Sequence, residues 1–154
     1  MPDIGKKAPA FTLLNQDGQK TKLSDYKGRT VVLFAYPRAA TPGCTTQACG
    51  FRDEYAEVEA AGAVVLGISP DKPEKLKRWQ EKQGFPYDLL SDPDHVVLEK
   101  YGAWGEKKMA GKVYDGVIRS HWVIDAAGKL VDQHIKISPK DSVARAIAFL
   151  KGAE

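Results

Sequence analysis

Two cysteines, Cys44 and Cys49, are the only thiols in a chain of 154 residues. They lie in "VVLFAYPRAATPGCTTQACGFRDEY", residues 31–55. An apolar run leads into a Pro/Gly-studded turn, the turn delivers Cys44, and a helical pattern begins there. A thiol is a weak nucleophile until it ionises, and the start of a helix favours the ionised form through its unpaired N–H groups and dipole. Thr41, Pro42 and Gly43 suit such a start: Thr41 as cap, Pro42 in the first turn, Gly43 where a substrate must approach the backbone. The pair points to sulfur redox chemistry, although Cys49 on its own could be a core side chain. A zinc site would need a second pair of ligands grouped nearby, and His95, His121 and His134 have no paired spacing. No metal and no bound cofactor is expected. A Cys-x-x-Cys exchange enzyme closes its thiols within one helical turn, and the spacing here is longer.

Strands and helices must alternate to position these groups. "AFTLLNQDGQKTKLSDY" reads as a hairpin around Asp17-Gly18, and "TVVLFAYP" and "AVVLGIS" as buried strands. Helices are expected from Cys44 to about Ala60, over "DKPEKLKRWQEKQG", over "HVVLEKYG", and over "SPKDSVARAIAFLKG" with Ser138 or Asp141 as cap. "YDLLSD" is a short strand, and "GVIRSHWVIDAAGKLVDQHI" two strands around a turn at Gly128. "AWGEKKMAGKVYD" has no clear periodicity and reads as a surface loop. The order implies an α/β, thioredoxin-like fold: a central mixed sheet flanked by helices, with an N-terminal β-hairpin, residues 1–154 forming one domain. In open α/β sheets chemistry sits at the carboxyl ends of the strands, which is where Cys44 follows "TVVLFAYP".

Composition narrows the function. The net charge of +3, with 23 basic residues scattered along the chain, argues against nucleic acid as a partner. The first residues lack the layout of a signal peptide, and no apolar run approaches the roughly 20 residues that span a bilayer. A cytoplasmic protein off the membrane is expected, and there a cysteine pair is redox-active sooner than a structural staple.

Pro37, Thr41 and Cys44 together spell P-x-x-x-T-x-x-C, which resembles the peroxiredoxin active-site motif. "YPRAATPGCTTQACGFRD", "FPYDLLSDPDH" and "YGAWGEKKMAGKVYDGVIRSHWVIDAAGKL" are similar to the bacterioferritin comigratory protein, or peroxiredoxin Q, subfamily. That resemblance implies a thiol peroxidase. Cys44 matches the peroxidatic cysteine and Cys49 the resolving cysteine, which would close a Cys44–Cys49 disulfide. Thr41 matches the hydroxyl that binds the peroxide, Pro37 the residue that shields the thiolate, and Arg119 the arginine that holds the thiolate. It also implies hydroperoxide as substrate, thioredoxin or a similar dithiol as electron donor, and a monomer. An arginine within the apolar "GVIRSHW" run is costly unless an anion faces it, so the residues agree about Arg119. Two positions depart from the subfamily: His121 replaces a small hydroxyl residue and Trp122 a phenylalanine. On a strand His121 would share a face with Arg119, and it is read as filling a pocket. The residues by themselves leave a thiol–disulfide exchange enzyme or a non-enzymatic binding protein of the same fold as alternatives.

Overall fold

The structure, a computed structural model, describes residues 2–152. Its strands are β1 (Thr12–Asn15), β2 (Lys20–Lys22), β3 (Thr30–Ala35), β4 (Ala63–Ser69), β5 (Asp88–Ser91), β6 (Trp104–Met109), β7 (Lys112–Val117), β8 (Ser120–Ile124) and β9 (Leu130–Ile135). Its helices are α1 (Pro42–Asp53), α2 (Tyr55–Ala60), α3 (Pro73–Gln83), α4 (Val96–Lys100) and α5 (Pro139–Leu150). Seven strands form the central sheet in the order β2-β1-β5-β4-β3-β8-β9. β3, β4 and β5 run parallel, while β8, β9 and the N-terminal hairpin join antiparallel. This is the expected α/β fold with a mixed sheet and an N-terminal hairpin.

β3 and β4 are apolar at nearly every position because helices or loops cover both faces of the sheet. Alternation along the strand decides which core each side chain enters. Val32 and Phe34 pack with Phe51, Val58, Trp79 and Ile147 from α1, α2, α3 and α5. Val31, Leu33 and Ala35 point the other way, onto Leu98, Tyr101 and Trp122. Fully burying a side chain of this size contributes about 1.5–3 kcal/mol, so the first cluster, with Ala48 and Phe51, holds α1 firmly against β3. The capping signals also hold: Gly84 ends α3 at φ 68°, and the Ser138 hydroxyl caps α5 by accepting from Asp141 N–H.

Three expectations need correction. The helix from Cys44 to Ala60 is two helices that break at Glu54, whose ψ of 12° leaves the helical path. The break lets α1 lie along α5 while α2 turns onto β4. The supposed loop "AWGEKKMAGKVYD" is a two-stranded ribbon, β6–β7, turning at Ala110 and Gly111 with φ of 51° and 78°. Apart from half-buried Lys107, its charged side chains stand exposed on the ribbon, so no apolar alternation marks it; positive φ at both turn residues is what a two-residue type I′ hairpin requires. Arg119 is not inside a strand but lies in the two-residue break between β7 and β8.

Candidate active site

The site is assembled where β3 and β4 end. After β3 the chain bends at half-buried Pro37 and reaches Ala40, whose φ is 67°. Asp71, just past β4, clamps this loop by accepting from Ala39 N–H at 2.7 Å, while also accepting from the Ser69 hydroxyl at 2.9 Å. Asp71 stands just before α3, whose N-cap is Lys72, so its carboxylate is free to serve the loop. Thr41 is the N-cap of α1, its carbonyl accepting from Thr45 N–H at 2.9 Å. Its hydroxyl does not cap. It donates backwards to the Arg38 carbonyl at 2.8 Å. Pro42 has no N–H to leave unpaired, so Gly43 and Cys44 carry the amides that precede the first helical hydrogen bond.

Cys44 is 1% exposed, and Arg119 Nη2 donates to its sulfur at 3.4 Å. Gly43 makes that approach possible, since a Cβ there would stand 3.1 Å from Nη2. The other guanidinium nitrogen, Nη1, donates to Gln47 Oε1 at 2.7 Å. Gln47 Nε2 donates to Ser142 Oγ at 3.0 Å, and Ser142 Oγ meets His121 Nδ1 at 2.8 Å. Gln47, Ser142 and His121 are all fully buried. A polar chain therefore runs from the Cys44 sulfur through α1 and α5 to β8. Its amide was not singled out in the sequence, although Gln47 stands three residues after Cys44 and so shares its helix face. His121 fills a pocket, as read, but also ends this chain. Burial, and then the neighbouring His134, push its imidazole down to about 3, so the ring is neutral.

The opening over Arg119 is basic. Four cations, Lys107, Lys108, Arg119 and Lys136, line it with a single carboxylate, Glu106, and with Ile118 and Ile137. Burial and then the Arg119 charge push the Lys107 ammonium below its ordinary value, with Cys44 acting the other way. The ribbon β6–β7, unseen in the sequence, is what brings Lys107 here.

Cys49 occupies the same helix in different surroundings. It is half-buried, with its sulfur 3.5 Å from Gln83 Oε1. Burial pushes its thiol up, opposed by Arg52 and aided by Asp53. Arg52 Nη1 donates to the Gln83 carbonyl at 2.6 Å, and the Tyr87 hydroxyl donates to the Ala48 carbonyl at 2.6 Å, fixing this end of the turn. Both thiols are free.

Comparison with known proteins gives the family. The AhpC/TSA family model matches residues 4–133. The putative peroxiredoxin Bcp of Haemophilus influenzae is 49% identical over 148 residues, 96% of each chain. Peroxiredoxin Bcp of Escherichia coli K12 is 53% identical over 126 residues, 82% of this chain and 81% of its own. Among solved structures, the bacterioferritin comigratory protein of Xanthomonas campestris, described for its alkyl peroxide reduction activity, superposes with a TM-score of 0.89 at 30% identity. It covers 98% of this chain and 99% of its own. Peroxidoxin BcpB of Mycobacterium tuberculosis gives 0.88 at 34% identity, covering 100% and 99%. From a family match over residues 4–133 and identities of 49% and 53% to the two Bcp relatives, the chain belongs to the AhpC/TSA family of peroxiredoxins.

Proposed function

We propose that this peroxiredoxin reduces hydrogen peroxide and organic hydroperoxides at Cys44, resolves the product with Cys49, and is recycled by thioredoxin. The observation that carries the reading is the Arg119 guanidinium held on the Cys44 sulfur, at the start of a helix that also contains the second thiol. A hydrogen bond to the charged form favours it, so Arg119 and the two free amides stabilise the thiolate and then the oxygen it attacks. The Cys44 thiolate attacks the terminal peroxide oxygen, the O–O bond breaks, and the departing alkoxide or hydroxide takes from solvent the proton that the Cys44 thiol released on ionising, leaving as alcohol or water. Cys44 is left as sulfenic acid. The Thr41 hydroxyl spends its proton on the Arg38 carbonyl, so its oxygen is available to accept from the peroxide O–H. Pro37 shields the sulfur from solvent. The Cys49 sulfur then displaces water from the sulfenic acid and forms the disulfide. An external dithiol supplies two electrons and two protons to restore both thiols.

Residues 1–154 act as one domain and the enzyme works as a cytoplasmic monomer. No described helix is long and apolar enough to cross a membrane. The test is NADPH oxidation coupled through thioredoxin reductase and thioredoxin, with hydrogen peroxide or an alkyl hydroperoxide as substrate. Cys44→Ser abolishes turnover. Cys49→Ser keeps one stoichiometric peroxide reaction and loses recycling. If Cys44→Ser kept the peroxide reaction and Cys49→Ser lost it, the two roles would be reversed.

A further inference from the structure

Two histidines that look unrelated in the sequence sit side by side on neighbouring strands of the sheet, at the far end of the polar chain that starts at Cys44. His121 on β8 is the register partner of His134 on β9, with ring centroids 5.0 Å apart. Asp132, two residues before His134, shares its face. We propose that His121, Asp132 and His134 bind one divalent first-row transition-metal ion, with Zn²⁺ as the best chemical fit.

Each of the three offers one ligand atom, and these atoms all lie within 4.8 Å of one another. His134 Nε2 and Asp132 Oδ2 are 3.3 Å apart. Metal–ligand bonds of about 2.0–2.1 Å in a tetrahedron place neighbouring ligand atoms about 3.3–3.4 Å apart, so this pair already has the spacing of one tetrahedral edge. The third ligand has to close by a small side-chain movement.

The independent observation is His121. Its Nδ1 is engaged by Ser142 Oγ, which also accepts from Gln47, while its buried Nε2 has no hydrogen-bond partner among the described residues. A buried polar atom left unpaired is destabilising, and an ion at Nε2 removes that cost. Metal-bound histidines carry such a partner on the second nitrogen, because it fixes the ring and its tautomer. Ser142 holds that position here. His121 is the buried wall of the site, whereas the His134 and Asp132 side chains are 27% and 17% exposed. They leave a way in for the ion and room for water as a fourth ligand. Two imidazoles and one carboxylate suit zinc and its neighbours rather than magnesium or calcium, which take oxygen ligands.

The full chain carrying Cys44→Ser and Cys49→Ser removes thiol binding from the experiment. Titrating it with Zn²⁺ by calorimetry, and with Co²⁺ by visible absorption, is expected to show one ion per chain with the spectrum of a tetrahedral nitrogen/oxygen site. In that background Ser142→Ala weakens binding by about 10–100-fold, His134→Ala or Asp132→Ala weakens it further, and His95→Ala leaves it unchanged. His134 and Asp132 are half-buried, so these variants fold and keep the test decisive. Absence of a stoichiometric site in the thiol-free chain, survival of binding in both His134→Ala and Asp132→Ala, or its loss in His95→Ala overturns the proposal.

Discussion

Oxidising the reduced chain with one equivalent of hydroperoxide is expected to unwind the first turns of α1. Residues five apart on an unbroken helix are separated by about 7.5 Å of rise and about 140° of rotation. At a backbone radius of about 2.3 Å their Cα atoms are on the order of 8–9 Å apart, and a disulfide needs about 7 Å or less with converging Cβ vectors. Both thiols lie within the regular helix Pro42–Asp53, so the bond cannot close without opening it. Freeing residues 45–49 breaks roughly five helical hydrogen bonds. At about 1 kcal/mol net each, that is on the order of 5 kcal/mol, before Gln47 loses Arg119 and Ser142 and Ala48 loses Tyr87. Amides of residues 45–49 should therefore exchange on the order of a thousand- to ten-thousandfold faster in the disulfide form, as expected for an opening free energy of that size. The opening should stop at Gly50, which is seated on Val143 of α5 so closely that a Cβ would come within 2.8 Å. The assay is hydrogen exchange by NMR or mass spectrometry on both redox states, with the disulfide confirmed by mass. A confirmed disulfide with unchanged protection over 45–49 would refute the reasoning.

Three other perturbations test the surroundings. Gln47→Leu leaves the half-buried Arg119 and the buried Ser142 short of a partner, which costs about 1–3 kcal/mol in denaturant titration. It should also slow the first peroxide reaction on the order of tenfold by releasing the guanidinium from Cys44, one decade being about 1.4 kcal/mol; an unchanged stopped-flow rate would show that Gln47 does not aim Arg119. Gly50→Ala gains about 1 kcal/mol of helix propensity but overpacks Val143, at about 1–3 kcal/mol. It should melt lower than wild type and be rescued by Val143→Ala, and failure of the rescue would place the strain elsewhere. In Cys44→Ser, burial holds the Cys49 thiol above its ordinary value, so its proton is retained to higher pH. Iodoacetamide labelling should then be slower than for free cysteine at neutral pH and rise with a midpoint above the ordinary thiol value. A midpoint below it would mean that Arg52 outweighs burial.

Local chemistry made much of this protein legible without coordinates. The runs TVVLFA and AVVLGIS announce buried strands because parallel strands covered on both faces have no polar side to declare. Pro42 and the helical spacing after it place Cys44 in a first turn, and the motif with Pro37 and Thr41 assigns the family. Gly84 and Ser138 mark helix ends because backbone geometry there admits few residue types. Tertiary structure decided the rest. The ribbon β6–β7 has too little buried surface to leave a periodicity, so Lys107 at the mouth of the site could not be placed. Arg119 could be named as a partner of Cys44, but its 3.4 Å contact depends on Gly43 having no Cβ and on Gln47 reaching it from the same helix. His121 and His134 are thirteen residues apart and became neighbours only through the register of β8 on β9. Short-range sequence rules carry information about a residue's own backbone and face. Which faces meet is set by packing over the whole sheet, and both the polar chain behind Cys44 and the histidine cluster beside it exist only at that level.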